Sequence, residues 1–141
     1  MALPKPEPGL VVRYDYLWAR EAAKGLRHGK ERPACLVVSY ERGDSGIETV
    51  LVAITHSRPA GDAVGIEIPP RVRKLLNLDD QPCWVIVSEY NADVWPSPGI
   101  VPLPRGEHGF AYGLMPIPLF ETIRGRLLEE LQAKRVRRVR R

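Results

Sequence analysis

Gly29-Lys30-Glu31-Arg32-Pro33-Ala34-Cys35-Leu36-Val37-Val38-Ser39, followed after a polar turn by Val50-Leu51-Val52-Ala53-Ile54-Thr55-His56-Ser57, is the stretch that decides the fold of this chain. Each half is a run of apolar, β-branched residues with a polar cluster at one end, which is how a strand reads. Gly43-Asp44-Ser45-Gly46 between them has the composition of a tight turn. Paired as a hairpin, the strands bring the start of the first against the end of the second. Arg32 then shares one rim of a sheet with Thr55, His56 and Ser57. A guanidinium, an imidazole and two hydroxyls on one rim make a candidate site for holding and cleaving a phosphodiester.

Working outward, Leu10 to Tyr16 alternates as a strand, with Val11, Arg13 and Asp15 on one face and Val12, Tyr14 and Tyr16 on the other. Leu17 to Lys30 holds at most a short helix, because Gly25 and Gly29 break it and leave a polar loop. Past the hairpin, Val64 to Pro69 alternates as a further strand. Pro70 then opens a short helix over 71–76, proline being at home in a first turn. Cys83 to Glu89 is an apolar strand that runs on towards Trp95 with a break near Asn91. Pro96 to Gly109 is loop. From Pro118, the set Leu119, Phe120, Ile123, Leu127, Leu128 and Leu131 has helical spacing, and the helix is expected to run on into the basic tail. Five or six short strands with tight turns, one small helix and one C-terminal helix predict a mainly β, α+β fold built on an antiparallel sheet or small barrel.

The chain's 141 residues suit one domain. Its 14 prolines and 12 glycines favour turns over a helical bundle. The expected organisation is a single domain over 1–131, opened by a Pro-rich lead-in over 1–9, and a basic C-terminal tail over 132–141. The formal charge is +4, but Lys134, Arg135, Arg137, Arg138, Arg140 and Arg141 all lie in the last ten residues, and the rest of the chain is at −2. Such a tail would add salt-sensitive affinity for nucleic acid, or dock on an acidic partner, or simply be solvated. Cys35 and Cys83 sit in apolar runs and read as buried, reduced thiols. With the three histidines they make no ligand spacing for zinc, so no metal and no cofactor are expected. No apolar run approaches the ~20 residues of a membrane span. Residues 1–10 carry no secretory pattern, so the expected location is the cytoplasm.

The order Pro8-Gly9-Leu10-Val11-Val12, then Arg32 through Ser39, then Val52-Ala53-Ile54-Thr55 resembles the MazF/PemK family of toxin components. Val85-Ile86-Val87-Ser88-Glu89 resembles that family's later core strand. Tyr112-Gly113-Leu114 resembles its step into the terminal helix. The likeness spans roughly residues 8–131 and is nearest to the divergent PemK-like branch, where an Ile-Thr-His step recurs. It implies a small SH3-like barrel of the MazF/Kid/CcdB type and a homodimer. It also implies a toxin of a type II toxin-antitoxin system that cleaves single-stranded RNA without metal, leaving a 2′,3′-cyclic phosphate and a 5′-hydroxyl. A cognate antitoxin protein would be the second partner.

Carried over residue by residue, the resemblance makes Arg32 the phosphate-holding arginine and Thr55 the hydroxyl on the scissile phosphate. His56, adjacent to Thr55, is the candidate acid or base. On a strand Thr55 and His56 face opposite ways, so they share a groove only if the strand has ended, whereas Ser57 keeps the side of Thr55. Lys30, Ser57, Trp18, Arg58 and Glu89 are candidate substrate contacts, Trp18 by stacking on a base as Tyr90 and Trp95 could. The competing readings are a surface arginine paired to an acid, a strand-end threonine, core aromatics, solvated cations, and a structural Glu89 paired with an arginine. One departure stands out. Where the family's loop carries a glutamate ahead of its arginine, this chain has Arg27 and His28, leaving Glu21 or Glu31 to substitute. That departure and the basic tail keep a second reading open, a non-catalytic barrel that binds nucleic acid or inhibits a protein target.

Overall fold

The computed structural model of the protein describes residues 3–104 and 109–141. Its elements in order are β1 (Leu10–Tyr16), α1 (Ala19–Ala23), β2 (Lys30–Glu41), β3 (Ile47–Thr55), β4 (Gly65–Glu67), α2 (Pro70–Leu75), β5 (Trp84–Ile86), β6 (Glu89–Trp95), β7 (Ala111–Leu114), α3 (Ile117–Gln132) and β8 (Arg137–Arg140). The fold is mainly β with three helices, a barrel-like sheet that does not close. The path of the sheet is β4-β5-β3-β2-β1-β7, and β6 also pairs with β3. β3 is therefore the hub, flanked by β2, β5 and β6. Among the described residues, no helix is long and apolar enough to cross a membrane.

The hairpin expected from the two apolar runs forms, with Ala34 opposite Ala53 and Glu41 opposite Ile47 around a 3₁₀ turn at Gly43–Ser45. Alternation along the strands feeds two cores. Val11, Cys35, Val37, Val52, Ile54 and Val85 turn to one face, covered by Val72 of α2 and by Ile123 and Leu127 of α3. Val12, Tyr14, Tyr16, Leu36, Leu51 and Ile86 turn to the other, with Trp18 and Trp95. Both faces are apolar because both are covered, which is why the strands read as nearly continuous apolar runs. Cys35 and Cys83 are free and buried. Burial pushes their thiols up to about 12 and about 11 respectively, far from the reactive thiolate range.

Three elements differ from the sequence reading. The run from Cys83 to Trp95 is two strands, because β5 pairs with β3 and β4 while β6 pairs with a different part of β3. Ala111–Leu114, expected only as the step into the last helix, is strand β7 on the free edge of β1. The last helix stops at Gln132, and Lys134 takes a left-handed φ of 59°, which helical backbone does not permit. The chain turns there and Arg137–Arg140 pairs in parallel with β6, so the segment expected as a tail ends as a strand with Val139 buried. The expected loop from Pro96 to Gly109 lies in part outside the described residues.

Candidate functional site

Arg32 and Thr55 are placed by register. β2 and β3 pair so that Ala34 opposes Ala53, and continuing that ladder by two residues sets Arg32 opposite Thr55. The strands splay at this end, since Thr55 pairs with Trp84 of β5 while Arg32 pairs with Tyr14 of β1. By parity both residues belong to the aromatic face, at the end of a ladder of rings. Tyr14 meets Tyr16 edge-on at 6.4 Å, and Tyr16 meets Trp18 at 5.0 Å. The guanidinium carbons of Arg32 and Arg20 lie 5.1 Å and 5.0 Å from the Trp18 ring centre, cation–π range for both.

Two grooves meet at this pair. One, of about 560 Å³, is lined by Arg13, Lys30, Arg32, Thr55, His56 and Asp79 among others. The second, of about 270 Å³, is lined by Trp18, Arg32, Thr55, Ser57, Arg58 and Glu89 among others. Arg32 and Thr55 belong to both, so they form the wall between them. Lys30, Arg32, Thr55, His56, Trp18, Ser57, Arg58 and Glu89 each line one groove or the other. Tyr90 and Glu21 line neither, and Trp95 is buried and spends its indole N–H on the Pro4 carbonyl.

Arg32 is only partly exposed, and its Nε–H is buried without an acceptor. Among the described residues no carboxylate lies within ion-pair distance of it. Burial lowers its pKa from 12.5; Glu21 opposes that shift, Arg20 adds to it and Tyr16 opposes it. At neutral pH the group is still a cation, with unspent donors beside a groove. Thr55 is buried, and its Oγ1 accepts from the Ser57 N–H at 3.1 Å. Its own hydroxyl proton has no acceptor among the described residues.

β3 ends at Thr55, which releases His56 from strand parity and lets it turn into the same groove as Thr55. Ser57 keeps the side of the second groove. The His56 ring is held at both nitrogens, Nδ1 2.9 Å from the Pro82 carbonyl and Nε2 2.8 Å from Asp79 Oδ2. Both partners accept, so each contact is a hydrogen bond only when that nitrogen carries a proton. His56 in this arrangement is a proton holder oriented by Asp79, not an unencumbered base.

The carboxylates sort themselves by what holds them. Glu21 caps α1, its Oε1 accepting from the Trp18 N–H at 3.0 Å. Glu31 faces Arg13 at 3.7 Å. Among the described residues Glu89 has no arginine within ion-pair distance; its Oε2 accepts from the Ala19 N–H at 2.9 Å and from Tyr16 OH at 3.2 Å. Burial raises its pKa above the ordinary 4.5, more than those two bonds and the charges of Arg20 and Arg137 lower it. A carboxyl poised upward, with one oxygen uncommitted, opens on the groove that contains Arg32.

Sequence reasoning missed Asp79, Arg13, Tyr112 and Arg20. Arg13 donates to Tyr112 OH at 3.1 Å and both line the first groove, though they are far apart in the chain. Only the pairing of β1 with both β2 and β7 brings them together. No family model matches this chain, and no curated protein matches it.

Proposed function

We propose that the protein is the toxin of a toxin-antitoxin pair, a metal-independent endoribonuclease that cuts single-stranded RNA in the cytoplasm. The observation that carries this reading is the unspent guanidinium of Arg32 beside the Thr55 hydroxyl, whose proton is free to donate among the described residues, on the wall where two open grooves meet. A single strand laid across that wall would put one phosphate on it, with the neighbouring nucleotides in the grooves. The resemblance to the MazF/PemK toxins, with their SH3-like barrels, adds a homodimer and a co-expressed antitoxin to the proposal.

The chemistry follows from the placement. Arg32 and Thr55 donate to the non-bridging phosphate oxygens, and their donors gain most as negative charge builds on the phosphorane. Glu89 takes the proton of the ribose 2′-hydroxyl from the second groove. The 2′-oxygen attacks phosphorus and the bond to the 5′-oxygen breaks. His56, in the first groove, returns a proton to the departing 5′-oxygen, which requires its Nε2–H to swing from Asp79. An in-line displacement needs its base and acid on opposite sides of phosphorus, and Glu89 and His56 stand in different grooves on either side of the wall. The products are a 2′,3′-cyclic phosphate and a 5′-hydroxyl. Trp18, Arg58, Ser57 and Lys30 would grip the flanking nucleotides.

The test is to incubate the protein with a long single-stranded RNA in EDTA beside Arg32→Ala, then map the ends. Discrete cuts bearing cyclic phosphates, absent with Arg32→Ala, support the reading. Intact RNA from folded wild-type protein contradicts it and leaves a binding module.

A further inference from the structure

The two segments that flank Arg32 converge on one side chain far away in the chain, Arg141. Its guanidinium is largely buried, with 11% of the side chain exposed. Nη1 donates to Asn91 Oδ1 at 2.9 Å and to the Asp15 carbonyl. Nη2 donates to the Arg27 carbonyl at 3.1 Å and reaches Asp15 Oδ2 at 3.4 Å. The guanidinium also stands 5.6 Å from the Tyr14 ring centre. Other cations of this segment are spent elsewhere. Arg135 pairs with Glu130, Arg137 with Asp62 and Arg140 with Glu48.

Two short routes lead from Arg141 to Arg32. Through the first, Asn91 Oδ1 also accepts from the Leu17 N–H at 3.0 Å, and Asn91 Nδ2 donates to the Leu17 carbonyl at 2.7 Å. Leu17 is thus clamped from both sides, and the next residue is Trp18, whose ring carries Arg32. Through the second, Asp15 Oδ1 accepts from the Gly29 N–H at 2.6 Å. Gly29 lies so tightly against β1 that a Cβ there would stand 1.9 Å from the Tyr16 carbonyl oxygen. The following residues are Lys30, Glu31 and Arg32. A guanidinium's planar fork can serve both routes at once, which a point charge cannot.

We propose that Arg141 is a positioning residue for Arg32, setting the Trp18 platform on one side and the entry of β2 on the other. The proposal rests on the reading of Arg32 as the phosphate-holding group. It gives the residue that follows β8 a part in the site itself, where the sequence suggested only a cationic tail. The competing role is merely structural, in which Arg141 helps β8 stay on the sheet and nothing more. Arg140 separates the two, since it is the neighbouring residue, the last of β8, and its fork closes on Glu48 instead.

The experiment compares ¹⁵N-labelled full-length wild type, Arg141→Gln and Arg140→Gln. It reads the Trp18 indole N–H, assigned with Trp18→Phe, the Arg32 Nε–H, assigned with Arg32→Lys, and the affinity for a single-stranded DNA oligonucleotide. Arg141→Gln is expected to move both signals and weaken binding about tenfold, the scale of one hydrogen bond. Arg140→Gln is expected to lower the melting temperature while leaving both signals in place. Signals unmoved in Arg141→Gln, or moved equally in Arg140→Gln, overturn the proposal. Should Arg141→Gln not fold, Arg141→Lys keeps the charge without the fork and is read in the same way. A wild type that binds no oligonucleotide and cuts no RNA sinks the phosphate reading, while the two signals still decide what Arg141 does.

Discussion

The two ends of the β2–β3 hairpin treat a partly buried charge in opposite ways. At the turn end, the Glu48 carboxylate is 3% exposed and fully met, with Arg140 donating to both oxygens at 2.7 Å and Arg42 standing 3.5 Å away. At the open end, Arg32 keeps a buried Nε–H with no acceptor and has no carboxylate partner among the described residues. A charge taken out of water is tolerable when its partners are built in, as at Glu48. A donor left unmet is a standing cost that asks for an explanation, and for Arg32 the proposal is that a ligand supplies the missing acceptor. The contrast teaches that one end of the hairpin is finished architecture, while the other keeps an unmet donor beside two grooves, where the site is proposed.

Substitutions at the two ends should therefore fail in different ways. The largest effect is expected from Arg32→Ala, which should cut RNA cleavage by about 10²–10³-fold, the worth of one preorganised charge-stabilising donor. Its melting temperature should hold or rise, because an unmet donor is removed. A matching loss of stability would show that Arg32 is architecture after all. Glu89→Gln comes next, with cleavage down by about 10²-fold. In the wild type, activity should fall as pH drops through a value above the ordinary carboxylate range, because burial raises the Glu89 pKa and the base must be ionised. An acid limb that survives in Glu89→Gln would reassign the base.

Glu48 and Glu89 should also respond to acid with opposite sign. The Arg140 hydrogen bonds hold the Glu48 pKa below 4.5, so its contribution is fully present above that value and is lost as pH falls through the folded-state pKa. Glu89 has a folded-state pKa above 4.5, so in that window the folded protein binds the extra proton and its contribution diminishes as pH rises. Melting curves of Glu48→Gln against pH should flatten on the acid side, and those of Glu89→Gln should lose the opposing trend. The smallest effect is expected from the double substitution Lys134→Gln/Arg138→Gln. If the site and not the tail holds the RNA, the logarithmic salt slope of binding should hardly move, whereas two lost phosphate contacts would lower it by about 1.4.

Much of this was legible before the structure. The β2–β3 hairpin declared itself through β-branched runs and a turn of Gly, Asp and Ser, and such a hairpin brings the start of the first strand, with Arg32, beside the end of the second, with Thr55. The end of β3 at Thr55 was the condition stated for His56 to share its groove, and the strand does end there. The final strand was not legible, because Arg137-Arg138-Val139-Arg140 has a single apolar residue and its pairing with β6 is a contact between distant segments. The same holds for Asp79 and Arg141. Their partners are set by where loops fold back, and neither spacing nor periodicity encodes that. Nor did the sequence show where the tail's charge goes: Arg135, Arg137, Arg140 and Arg141 each have a carboxylate within the protein.

The central claim is that the unmet donor of Arg32 is held for a phosphate. The most direct measurement is the Arg32 Nε–H signal followed during titration with a single-stranded DNA oligonucleotide, which lacks the attacking 2′-hydroxyl. The account expects a saturable downfield shift of that signal as its acceptor arrives, and loss of binding in Arg32→Ala. An oligonucleotide that binds while the Arg32 signal stays where it was, and binds Arg32→Ala equally well, would contradict it.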